Sequence, residues 1–175
     1  PAGIVVTDIC AVSPDAHARF DAISRTYNYY VHTVKDPFLD NFSHFFPYDL
    51  DIDNMNRAAA LLIGEKDFTS MAKLHSDVKT NICTVTEALW TPGSPVNAIT
   101  PQGQANTYCL TISANRFLRN MVRAIAGSLL EIGRDRRQPE WITQLLAQKD
   151  RSAAGNSATA HALYLTKIEY PYTIF

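Results

Sequence analysis

The chain has 175 residues, 46% hydrophobic and 19% charged, with a net charge of −1, the balance of one ordinary globular domain. No apolar run approaches the ~20 residues of a bilayer span. The start, PAGIVVTD, lacks the basic-then-apolar pattern of a secretory signal. Three widely spaced cysteines without a CxxC, and five histidines without HxxxH or HExxH, argue against a disulfide framework and a zinc site and suit a reducing cytoplasm.

In chain order, Ile4 to Val12 is β-branched and apolar and reads as a strand. It lies so near the start, with no initiator methionine, that the chain reads as a piece of a longer protein. Ile23 to Val34 alternates, with Tyr27, Tyr29 and Val31 on one face and Asn28, Tyr30 and His32 on the other. Both faces carry apolar bulk, which predicts a central strand covered on both sides. Pro37 to Tyr48 is aromatic and irregular. Asp51 is placed to cap a helix through Met55, Ala58, Ala59 and Leu62, with Gly64 to stop it. Asp67 to Met71 reads as a helical turn and Thr80 to Trp90 as a strand. TPGSPVNAITPQGQ is a loop leading to a strand from Asn106 to Ile112. Phe117 to Gly133 reads as the longest helix, and Pro139 opens another through Trp141, Ile142, Leu145 and Leu146. Ser152 to Ala160 is a small, polar loop before a last strand from Leu163 to Tyr170. This order predicts an α+β fold, a mostly antiparallel sheet with helices packed on one face.

Charge is sorted along the chain. Seven acidic and three basic residues lie between Lys35 and Asp67, whereas six arginines face only Glu131 and Asp135 between Arg116 and Arg137. On a helix from Phe117, Leu118, Met121, Val122, Ile125, Leu129 and Ile132 would fall within an arc of roughly 100°. Arg116, Arg119 and Arg123 would fall nearly opposite, with Ala126 and Gly127 one turn on. Small neighbours admit a backbone, a carboxylate or a nucleic-acid strand, and arginine suits carboxylate or phosphate. Cations at a helix N-terminus oppose its dipole, so an anionic partner is expected.

Four segments together, HARFDAISRTYNYYV (17–31), LLIGEKDFTSM (61–71), FLRNMVRAIAGSLLEIGR (117–134) and DRSAAGNSATAHALYLTKIEYP (150–171), resemble the C-terminal half of the TruA family of tRNA pseudouridine synthases. They stand in the family's order and at about its spacing, across nearly the whole chain. The resemblance implies half of a pseudouridine synthase fold and an enzyme that isomerises uridine to pseudouridine in the anticodon arm of tRNA. It implies neither metal nor organic cofactor, and a homodimer in the complete protein. It makes residues 1–175 a C-terminal domain, with the nucleophilic aspartate, held in a G-R-T-D motif, on an N-terminal domain. No GRTD occurs in these 175 residues, so the chain alone is expected to be inactive.

By the same resemblance, Tyr27 stacks on the target base and is a candidate for removing the C5 proton. A phenol of ordinary pKa ~10 accepts a proton only in a perturbed environment, whereas stacking needs no shift. Arg123 corresponds to the arginine that pairs with the nucleophile and keeps it ionised. Leu163 is a candidate apolar wall of the pocket, and Arg19, Arg25, Arg116 and Arg119 are candidate RNA contacts. Ala162 replaces a usual glycine, and Asn81 stands where a basic residue is common. Tyr29 is expected beside Tyr27, and Tyr30 in the helix layer. The alternative from the residues alone is a non-catalytic RNA-binding or dimerising module, with bases stacking on sheet aromatics.

Overall fold

The computed structural model describes residues 3–73, 79–95 and 106–174. Its elements run β1 (Ser24–His32), β2 (His44–Phe45), α1 (Ile52–Ala60), β3 (Gly64–Asp67), β4 (Ile82–Pro92), β5 (Thr107–Ala114), α2 (Met121–Gly133), α3 (Trp141–Gln148) and β6 (Leu163–Glu169). Short 3₁₀ turns occupy Thr69–Met71 and Arg151–Ala153. The sheet order is β2-β1-β5-β4-β3. Strand β1 pairs antiparallel with β5 along one edge. Its other edge is shared by antiparallel β6, opposite Ser24 to Tyr29, and parallel β2, opposite Val31 and His32. The α+β class with helices on one sheet face is as expected, and the parallel β2 pairing makes the sheet mixed.

The period-2 pattern of β1 selects the covered face. Tyr29 and Val31 are fully buried with Leu110 and Ile112 of β5 and with Val85 and Trp90 of β4. The helices answer with Met55, Ala58 and Ala59 from α1 and Met121, Ile125 and Leu129 from α2. Each large side chain so buried contributes about 1.5–3 kcal/mol. Asp51 caps α1 by accepting a bond from the Asn54 amide at 2.9 Å, and its own amide donates to the Gly133 carbonyl at 2.8 Å. One residue thus starts α1 and fastens it to the end of α2.

Several expectations are corrected. Ile4 to Val12 forms no strand, and Ile4, Val5, Val6, Ile9 and Val12 are exposed. β-branched composition favours extension, but a strand also needs a neighbour, and no described strand pairs with this segment. Gly64, at φ +100°, opens β3 beyond the helix end rather than closing α1 directly. Helix α2 starts at Met121, not Phe117, because Asn120 takes a left-handed φ of 70°. Arg116 and Arg119 therefore leave the helix, and the single arginine face dissolves. Tyr30 lies on the sheet face away from the helices, half-buried and edge-on to Tyr164 at 5.6 Å. The loop expected at TPGSPVNAITPQGQ falls largely on residues 96–105, outside the described residues.

Candidate active site

A cleft of about 990 Å³ opens where β1, the start of β6 and the lead-in to α2 meet. Tyr27 projects into it from β1, on the helix-covered face but beyond the fully packed core. The β1–β6 register shifts between Thr26 and Tyr27, a local irregularity of the kind that re-aims a side chain. Phe117 meets the Tyr27 ring edge-on at 5.2 Å and fixes its tilt. Leu163 lies opposite Tyr29 in register and lines the same opening.

Arg123 enters from the first turn of α2. Its Nε donates to the Ala158 carbonyl at 2.6 Å, and the Ala158 amide donates to the Arg123 carbonyl at 3.0 Å. This reciprocal pair holds the guanidinium stem, and no hydrogen bond or ion pair found among the described residues engages its terminal nitrogens. The first turn of α2 holds no acidic residue, so an arginine there gains from an anion brought to the cleft. Close approach depends on Gly127, where a Cβ would overlap the Asn156 carbonyl. The small residues behind Arg123 thus admit the backbone of 156–158.

That backbone is tied on its other side. The buried Tyr29 hydroxyl lies 3.0 Å from the Thr159 carbonyl, 3.1 Å from Thr159 Oγ1 and 3.1 Å from His44 Nδ1. The carbonyl can only accept, so the phenol donates there and receives from its other partners. Burial pushes the Tyr29 phenol up to about 12 and, with His161 and His32 adding to it, the His44 imidazole down to about 4. Both groups are therefore neutral near pH 7, a structural hydrogen-bond pair behind the cleft.

Of the residues singled out in the sequence, Tyr27, Arg123, Leu163, Arg19 and Arg119 all line this cleft. Arg25 and Arg116 do not. Sequence reasoning missed Lys73, Arg151 and Ser157, which also line it. Arg151 donates to Ser157 Oγ at 2.7 Å, and Asn120 Nδ2 donates to the same oxygen at 2.6 Å. Arg151 and Ser157 stand inside the matched 150–171 stretch, the one signal pointing to them. Arg19, Lys73, Arg119, Arg123 and Arg151 bring five cations to the lining, which includes no carboxylate. Such a concave, positively charged wall focuses potential on an anionic ligand. Among the described residues no cluster of His, Cys, Asp and Glu could hold a metal ion, and no helix is long and apolar enough to cross a membrane.

Residues 58–171 match the model of a family described as tRNA pseudouridine synthase. The chain is 47% identical, over all 175 residues, to the tRNA pseudouridine synthase A of Bacteroides fragilis, covering 66% of that protein. Identity is 48% to the enzyme of that name from Bacteroides thetaiotaomicron, again over the whole chain and 62% of the relative. It is 40% over 173 residues to that of Shewanella pealeana, covering 98% of this chain and 62% of the relative. The chain thus spans 62–66% of the length of these curated relatives.

Proposed function

The chain belongs to the tRNA pseudouridine synthase family, and on that premise we propose that it is the C-terminal domain of an enzyme converting uridine to pseudouridine in the anticodon arm of tRNA. The observation carrying this reading is the convergence of Tyr27, Arg123 and Leu163 on one cationic cleft without a carboxylate of its own. The missing group is an aspartate nucleophile from a preceding domain. Arg123, anchored through Nε, pairs with it through its terminal nitrogens, keeping it ionised and aimed. The carboxylate bonds to the target nucleotide as the glycosidic bond to N1 breaks, the base turns, and the carboxylate is released again as the base rejoins the ribose through C5. C5 gives up a proton and N1 takes one, so the change is an isomerisation without net redox and needs no cofactor.

Tyr27 stacks on the turning base, braced by Phe117, and Leu163 closes the apolar side. Arg19, Arg119, Lys73 and Arg151 meet phosphates along the strand; such contacts position RNA and carry little sequence information. Arg116 lies outside the cleft lining. The complete protein is read as a cytoplasmic homodimer, a setting that suits the free thiols Cys10, Cys83 and Cys109.

The test uses the complete protein with Tyr27→Ala and Arg123→Ala. Both variants are expected to bind tRNA and form no pseudouridine. Full turnover by both would refute the reading, and binding without product by the wild type would leave an RNA-binding module instead.

A further inference from the structure

Arg25, two residues before Tyr27 on β1, does not line the cleft, and three of the five N–H donors of its guanidinium are engaged within the protein. Nη1 donates to the Ala22 and Asn115 carbonyls, each at 2.7 Å, and Nη2 donates to the Arg19 carbonyl. Its three acceptors belong to two separate walls. Asn115 belongs to the sheet side, since its amide donates to the Thr84 carbonyl at 3.0 Å and its Oδ1 accepts from the Thr84 amide at 2.9 Å. Two residues later the chain reaches Phe117, which braces Tyr27. Arg19 and Ala22 belong to the turn over 17–22, which carries Arg19 into the cleft.

That turn has little burial to hold it. Phe20 is 74% exposed, and of residues 17–22 only Ala22 is buried. Its shape rests on polar contacts: His17 Nδ1 accepts from the Arg19 and Phe20 amides, Asp21 accepts from the His17 amide and the Tyr172 hydroxyl, and Tyr170 donates to the Ala18 carbonyl. Of these contacts, those made by Arg25 are the ones that tie the turn to β1 and to the Asn115 segment at once. A planar guanidinium fork holds three carbonyls in fixed directions, which an ammonium on a flexible stem does not.

We infer that Arg25 is a positioning residue rather than an RNA contact: it clamps the exposed 17–22 turn to the sheet so that Arg19 is presented to a phosphodiester in the cleft. This rests on the reading of the cleft as an RNA site, and the experiment separates the two. In the complete protein, tRNA dissociation constants are measured over a salt series for Arg19→Ala, Arg25→Ala, Arg25→Lys and the Arg19→Ala/Arg25→Ala double variant. Amide hydrogen exchange across 17–22 is followed without RNA.

One lost phosphate contact lowers the salt slope by about 0.7–1. Arg25→Ala is expected to lower it by that single step, as Arg19→Ala does, and the double variant by no more than Arg19→Ala alone. Arg25→Lys, which keeps the charge but not the fork, should behave as Arg25→Ala, and both should speed exchange across 17–22. Additive losses with a slope lowered by two steps, or full binding by Arg25→Lys, would overturn the inference, as would unchanged exchange. A wild type that binds no tRNA would sink the parent reading, while the exchange result still decides whether Arg25 clamps the turn.

Discussion

Two arginines of the same cleft are held in opposite ways. Arg123 stands on α2, whose neighbours Ala124, Ile125 and Ala126 are fully buried, and its stem is locked to the backbone at Ala158. Arg19 stands on an exposed turn kept in shape by hydrogen bonds and by Arg25. The difference matches the two tasks assigned to them. A group that must orient a nucleophile gains from sub-ångström fixity. A group that meets a flexible phosphodiester tolerates movement, and surface turns held by polar contacts open at low free-energy cost.

That contrast can be broken from the rigid side first. Gly127→Ala drives a Cβ into the Asn156 carbonyl, which is backbone and cannot swing aside. It should cost about 3 kcal/mol of stability in a denaturant titration, the upper end for overpacking, and in the complete enzyme it should lower turnover as well. Wild-type stability in the Gly127→Ala variant would show that the 156–158 backbone does not press on α2.

Next in size is a pH dependence. The His44 imidazole is depressed to about 4 in the folded chain against an ordinary 6.5. The unfolded chain therefore binds the extra proton between those values, so the stability His44 contributes is present above pH 6.5 and is lost as pH falls towards 4. Partial solvent access reduces the full linkage to about 2 kcal/mol. Denaturation at pH 7 and pH 4.5 should reveal this loss, and His44→Asn should remove most of the slope. A slope unchanged by His44→Asn would place the titrating group elsewhere.

Smaller still is the cap of α1, far from both arginines. Asp51→Ala removes the bond from the Asn54 amide and should cost about 1 kcal/mol, leaving tRNA affinity of the complete protein unchanged. On the flexible side, Asp21→Asn weakens the clasp of the turn on the His17 amide and the Tyr172 hydroxyl. It should leave stability close to that of the wild type and weaken tRNA binding slightly. A large stability loss would mean that the turn is part of the core.

What could be read in the sequence follows the range of the forces involved. Local chemistry was legible: the Asp51 cap, the alternation of β1, and the apolar stripe of α2 all rest on neighbours within a turn or two. The cleft residues Tyr27, Arg123 and Leu163 were legible through motif resemblance. The start of α2 was misplaced because apolar spacing runs unbroken through Leu118 and Met121, while the left-handed Asn120 between them leaves no mark in hydrophobicity. Tyr30 was misassigned because alternation defines two faces without saying which one the helices cover. β2, two residues long, and β3, four, are too short for any period to register. Lys73 and Arg151 reach the cleft only through tertiary folding: the Lys73 amide bonds the Arg119 carbonyl at 2.9 Å, and Arg151 follows α3.

On the proposed function, this cleft supplies stacking, pairing and phosphate contacts but borrows its nucleophile. The most direct measurement incubates the 175-residue chain with substrate tRNA and assays for pseudouridine beside the complete protein. Product is expected from the complete protein and none from the 175-residue chain, even at stoichiometric concentration. Pseudouridine formed by the 175-residue chain alone would mean that a group within it performs the attack and that no nucleophile is borrowed.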